Sequence, residues 1–105
     1  PDVANSLNNL GGLYFSQGRY SEAEPLYLQS LQLWQKLLGD EHPGVATSLN
    51  NLAVLYCHQD RFQEAEPLLM KALEMRDRLL GPQHPDTIST RKSLENFKAA
   101  MNRKY

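Results

Sequence analysis

Residues 6–10 read SLNNL, and residues 48–52 read SLNNL again. The same displacement of 42 carries EAEPL from 22–26 to 64–68, LLG from 37–39 to 79–81, and His42-Pro43 to His84-Pro85. With Pro1 placed under Pro43 and Pro85, 22 of the 42 positions in 1–42 are identical in 43–84. A fixed period of this length marks stacked supersecondary units, none of which buries its apolar face alone.

Each unit reads as two helices. Leu7, Leu10, Leu13 and Tyr14 follow helical spacing and form the apolar face of the first, matched by Leu49, Leu52, Leu55 and Tyr56. Gly18-Arg19 interrupts the pattern, as does Asp60-Arg61 one period later. Ser21-Glu22-Ala23-Glu24 then predicts a capping box, with Pro25 inside the first turn. Gln63 replaces that serine in the second unit, which predicts a weaker cap there. The second helix continues through Ala23, Leu26, Tyr27, Leu31, Trp34, Leu37 and Leu38 and stops at Gly39, as its twin stops at Gly81. Pro43 and Pro85 stand near the start of the next helix.

The third unit supplies one helix, roughly 86–101, on which Leu94 and Phe97 keep the apolar register. Arg91 replaces Leu7 and Leu49, however, and Lys98 replaces Tyr14 and Tyr56. Charges at positions that a following unit would cover predict a C-terminal capping helix. The expected organisation is all-α: one repeat over 1–42, a second over 43–84, and a capping helix and tail over 85–105. Pro1 falls in mid-phase, at the linker position, so the natural protein is expected to extend upstream.

Composition narrows the function. Of 105 residues, 41% are hydrophobic and 22% charged, the balance of a packed soluble domain. The net charge of −1 argues against a nucleic-acid partner, whose phosphates demand an excess of cations. Apolar runs are too short to span a bilayer, so no membrane role is expected. One cysteine builds neither a disulfide framework nor a Cys-rich zinc site, and a cytoplasmic setting follows as the expectation. The charge is polarised along the chain: residues 1–70 hold three basic and eight acidic side chains, residues 71–105 eight basic and four acidic.

Small residues Gly11 and Ala53 follow Leu10 and Leu52, Tyr14 and Tyr56 come three later, and Ala23 and Ala65 nine further on. Tyr27 with Ser30, and Leu69 with Ala72, complete a spacing that resembles the tetratricopeptide repeat. The period of 42, the LNNLA and EAEPL runs and the LG-x-x-HP linkers look most like the kinesin light chain type. The resemblance implies a right-handed α-α solenoid whose first helices line a concave groove and whose second helices form the outer wall. No proline closes a short second helix, so both second helices should run long. Nothing resembles the motor-binding coiled coil of true kinesin light chains.

Carried onto this chain, the resemblance turns Asn5, Asn8, Asn9, Gly12, Phe15 and Ser16 toward the groove. Their equivalents are Thr47, Asn50, Asn51, Val54, Cys57 and His58, then Ser89, Lys92, Ser93, Asn96, Ala99 and Ala100. An amide side chain both donates and accepts, so it can hold a peptide backbone without demanding a particular side chain. In the resembling families, asparagines at the Asn9 and Asn51 positions contact bound peptide. The alternative for Asn8, Asn9, Asn50 and Asn51 is bonding between neighbouring helices. Gly12, Phe15, Val54 and Cys57 could floor an apolar subsite or simply pack between units. Lys92 and Arg91 could meet an acidic ligand or face solvent.

Catalytic and metal chemistry find no support. His42 and His84 sit one period apart in linkers and read as turn residues. His58 neighbours Cys57 in sequence, but successive helical residues point different ways. Glu22, Glu24, Glu64 and Glu66 read as acids at helix starts, favoured by the dipole. No enzyme activity, cofactor or metal is expected. The expected function is a scaffold: a short extended peptide of another protein, acidic with an apolar anchor, bound in the groove by the C-terminal part of a longer adaptor. The competing expectation is self-association through the uncapped front, around Leu7, Leu10 and Trp34.

Overall fold

The computed structural model describes the backbone of residues 2–104 and the side chains of 2–102; Arg103 and Lys104, expected to serve solubility, lie outside the described side chains. Five helices follow in order: α1 (Asp2–Ser16), α2 (Tyr20–Leu38), α3 (Pro43–His58), α4 (Phe62–Leu80) and α5 (Pro85–Lys104). Each packs on the next, α1 on α2, α2 on α3, α3 on α4 and α4 on α5, giving an all-α helical repeat solenoid of 40 × 33 × 20 Å. The second helices are indeed the long ones, 19 residues each against 15 and 16 for α1 and α3.

The turns work as the residue types require. Gly18 takes φ 77°, and Asp60 adopts φ 60° at the equivalent position, a conformation that aspartate tolerates better than most residues. Gly39 and Gly81 end α2 and α4 at φ 82° and 95°. His42 caps α3, its Nδ1 accepting from the Gly44 amide at 2.9 Å, and His84 Nδ1 accepts from Asp86 at 3.1 Å.

Three local expectations are corrected. No capping box forms at Ser21: α2 starts one residue earlier, behind Arg19, without a side-chain cap. Arg19 instead pairs with Glu22, and Arg61 with Glu64, so ion pairs occupy the helix starts. Pro25 and Pro67 consequently sit beyond the first turn, inside α2 and α4. The last helix runs to Lys104, longer than the range read from its apolar register.

Two buried clusters hold the stack. Tyr27, Leu52, Leu55, Leu69, Leu94 and Phe97 form one with Ala23, Ala53, Tyr56 and Ala65. Ala4, Trp34, Val45, Ala46, Leu49, Ala72 and Met75 form the other. The predicted apolar face of the second unit is buried in full, but the first is not: Leu10 is 41% and Leu13 53% exposed, against 1% and 0% for Leu52 and Leu55. The reason is positional. Helix α3 is covered from two sides, by α2 and α4, whereas α1 has its main packing against α2 only and touches α3 at a few side chains. Trp34, placed by the sequence at the upstream end or outer wall, is buried toward α3, stacked on His42 with ring centroids 5.0 Å apart.

Candidate functional site

Helices α1, α3 and α5 occupy equivalent places in successive units, and the candidate residues lie along them. The asparagines join two of these helices directly: Asn51 Nδ2 donates to Asn8 Oδ1 at 2.9 Å. Asn51 is therefore half-buried and partly committed to the scaffold, while Asn5 and Asn9 stand exposed on α1. One period on, Asn50 stands in the Asn8 position and Ser93 in the Asn51 position. The serine side chain is shorter than an amide, and Asn50 Oδ1 is buried without a partner among the described residues.

Phe15 and His58 meet in a ring cluster that also includes Tyr20. The Phe15 and His58 centroids lie 4.9 Å apart edge-on, Phe15 and Tyr20 are 5.3 Å apart, and Tyr20 and His58 5.7 Å. His58 Nδ1 lies 3.0 Å from the Val54 carbonyl, a contact that helps hold the imidazole in this cluster. Gly12 is half-buried near the Tyr27 hydroxyl, which a Cβ there would approach to 3.7 Å.

Val54, Cys57 and Asn96 come together at a cavity of ≈ 280 Å³ between α3, α4 and α5, walled also by Phe62, Leu69, Ser93, Phe97 and Ala100. Burial pushes the Cys57 thiol up from its ordinary value, which lowers its thiolate fraction. Lys92 lies on the adjoining surface, in a hollow of ≈ 540 Å³ that shares Ser93 and Asn96 with the first. Tyr20, Phe62, Leu69 and Phe97 were not singled out by the sequence as site residues. The signal for two of them was the alignment of Tyr20 with Phe62 beside Phe15 and Cys57.

In the turn between α3 and α4, Arg61 gathers two carboxylates. Placed just before α4, it pairs with Glu64 of that helix at 2.7 Å and with Glu24 of α2 at 2.9 Å, and lies 4.1 Å over the Tyr56 ring. Tyr56 donates to Glu24 at 3.1 Å. The carboxylates raise the Arg61 pKa, and Arg61 holds Glu64 below the ordinary carboxylate value. These groups tie α2 to the start of α4. Among the described residues no group of three or more His, Cys, Asp and Glu side chains could hold a metal, and no helix is long and apolar enough to cross a membrane.

The tetratricopeptide repeat model matches residues 2–77 and 45–103, together nearly the whole chain. The chain belongs to the tetratricopeptide repeat family. Solved tetratricopeptide structures superpose closely on it. BtubC (BKLC) of P. vanneervenii is 28% identical with a TM-score of 0.86 over 93% of this chain and 39% of its own. The nearly identical TPR-like repeats assigned to a kinesin light chain of Podosopora anserina are 27% identical with a TM-score of 0.82, over 94% of this chain and 47% of theirs. A point variant of the latter gives 27% and 0.81 over the same shares. This chain thus spans less than half the length of these relatives, and its repeats are of the kinesin light chain-like type. No curated protein matches it significantly in sequence. Tetratricopeptide repeats generally mediate protein–protein interaction, and their fold is typically a non-catalytic scaffold.

Proposed function

We propose that this chain binds a short extended segment of a partner protein along the face shared by α1, α3 and α5, as part of a longer cytoplasmic adaptor. The observation carrying this reading is the row of amides on that face. Asn9 is exposed, Asn51 keeps one amide hydrogen and its carbonyl beyond the bond to Asn8, and Asn96 stands at the mouth of the cavity. An extended backbone needs donors and acceptors at such intervals, and amides serve it regardless of its side chains. Modest affinity is expected: a micromolar constant requires only about −8 kcal/mol.

The test is peptide display on the chain, counter-screened with Asn9→Ala/Asn51→Ala. Motifs lost in the double variant support the groove, whereas motifs that survive it place binding on the outer wall or front edge. Asn8→Ala is the control, since it breaks the bond between helices while leaving Asn9 and Asn51 in place.

A second reading is self-association through the front. It is favoured by Val3, Leu10 and Leu13, which are exposed where Val45, Leu52 and Leu55 of the next unit are buried. Trp34 is not part of this surface, being buried against Gly44 and His42. Leu13→Glu should abolish any association seen by ultracentrifugation, and a monomer mass at every concentration would rule this reading out.

A further inference from the structure

Tyr56 and Arg61 share one acceptor across a junction between units. The Tyr56 hydroxyl donates to the Glu24 carboxylate at 3.1 Å and Arg61 Nη1 donates to it at 2.9 Å. One period earlier Arg19 lies 4.4 Å over the Tyr14 ring, much as Arg61 lies over Tyr56, and holds Glu22 and Gln17 beside it. Among the described residues, no carboxylate takes the place of Glu24 there, and the Tyr14 hydroxyl has no acceptor. The same side of α1 carries a stripe of Val3, Ser6, Leu10 and Leu13, spaced as in a coiled-coil seam. All four are exposed, whereas Val45, Ser48, Leu52 and Leu55 are buried. Beside Val3 opens a hollow of ≈ 490 Å³ walled by Val3, Leu7 and Leu33 with Gln29, Gln32 and Lys36.

The far end of the chain does not fit this stripe. On α5, Arg91, Glu95 and Lys98 hold the positions of Leu7, Gly11 and Tyr14, and leucines set against them would strip water from charges without pairing them. The stripe does fit itself. Run antiparallel on a copy, it sets Val3 opposite Leu13 and Ser6 opposite Leu10, a small residue facing a large one at the centre. Leu13 then falls at the hollow beside Val3. Asp2, in the first turn of α1, falls beside Tyr14 and Arg19 of the other copy and supplies the carboxylate that Glu24 supplies one period on. The charges are complementary in this direction alone, since a parallel pairing sets Asp2 against Asp2 and Arg19 against Arg19. A face that pairs with itself also closes after two copies.

We infer that two copies of this chain pair front to front about a two-fold axis, α1 antiparallel to α1. Leu13 of each copy sits in the other's hollow of Val3, Leu7 and Leu33, and Asp2 of each bonds Arg19 and Tyr14 of the other. This rests on the self-association reading above and adds the direction, the symmetry and the ion pair. The axis runs perpendicular to both α1 helices, so the faces shared by α1, α3 and α5 open on one side of the dimer, an arrangement suited to a bivalent partner. One helical seam is small beside the ~800 Å² per partner of a standard interface, so the dissociation constant is about micromolar or weaker.

The test is sedimentation equilibrium of the whole chain over a range of concentrations. The wild type should pass from monomer to dimer with no larger species. Asp2→Arg and Arg19→Glu should each weaken the dimer about tenfold, since each turns two attractions into two repulsions. An equimolar mixture of these two variants should associate as the wild type does, because one copy then carries both positive charges and the other both negative ones. A mixture no tighter than its components overturns the ion pair and with it the proposed register. Should Arg19→Glu disturb its own turn, cysteine cross-linking replaces it, in a Cys57→Ser background that removes the single thiol of the chain. Oxidation should join Val3→Cys to Leu13→Cys and neither variant to itself. Val3→Cys joined to itself overturns the antiparallel direction while the self-association reading stands. A monomer at every concentration, or a dimer that survives Leu13→Glu, defeats that reading and this inference together.

Discussion

The indole of Trp34 occupies the space a side chain on Gly44 would need: a Cβ built there lies 2.5 Å from Cδ2 and 2.7 Å from Cε2. One period later the same two positions are Arg76 and Asp86, and Arg76 Nη1 donates to the Asp86 carbonyl at 3.3 Å. An aromatic ring on a bare backbone and a guanidinium on a carbonyl are two solutions to one junction between a second helix and the next first helix.

Gly44→Ala is therefore expected to overpack the first junction and cost about 1–3 kcal/mol. Combined with Trp34→Leu, the glycine substitution should cost much less, because the obstructing ring is gone. Urea midpoints of the two single variants and the double variant measure the coupling, and additive effects would contradict the contact.

Arg76 is 7% exposed and donates to Thr90 Oγ1 at 2.6 Å and Thr47 Oγ1 at 3.1 Å as well as to Asp86. Burial lowers its pKa, with Asp86 opposing, and the group stays charged. A lysine ammonium cannot span three acceptors from one plane, so Arg76→Lys should cost about 2 kcal/mol. Arg76→Met should cost less. Both threonines already donate to backbone carbonyls, at Pro43 and Asp86, so removing the guanidinium orphans no donor. The order of the two denaturation midpoints decides this.

Acid should weaken the stack. Hydrogen bonds from Arg19 and Arg61 lower the pKa values of Glu22 and Glu64 in the folded chain. A depressed folded value means the contribution is present above the ordinary 4.5 and lost as pH falls through the lower folded value. Denaturation midpoints should thus decline below about pH 4.5. In Arg61→Gln the decline should be shallower, and an identical acid limb would show these pairs to be energetically silent.

Gly18 offers a purely backbone test. No atom stands within 4 Å of a Cβ built there, yet its φ is 77°. Gly18→Ala should cost about 1–2 kcal/mol through the left-handed conformation alone. Gly18→Asp should cost less, as Asp60 at the matching position already adopts φ 60°. Thermal melts that rank aspartate below alanine would refute the argument.

Much of the fold was legible because a repeat reports on itself. Ala23 and Ala65, Leu52, Leu55, Gly39 and Gly81 are where the period and helical spacing put them, since close packing between identical units permits little variation. The site was less legible. Phe15 and His58 were named singly, but their closure with Tyr20 depends on side chains from three helices, which no local pattern reports. The burial of Arg76 had no local signal either, because its partners lie 29 residues upstream and 10 and 14 residues downstream.

What the sequence determined by itself is the architecture: a period of 42, two helices per unit, long second helices and glycine stops. Those properties depend on backbone propensity and on which face is apolar, and both are written locally. Only the tertiary structure decided which apolar residues are covered, leaving Leu10 and Leu13 in the open and burying Leu52 and Leu55. It alone decided that Asn51 spends a hydrogen bond on Asn8, and that exchanging Phe15 and His58 for Cys57 and Ala100 leaves room beside Phe62. Burial and volume belong to neighbours in space, and a solenoid sets those neighbours a full period apart in sequence.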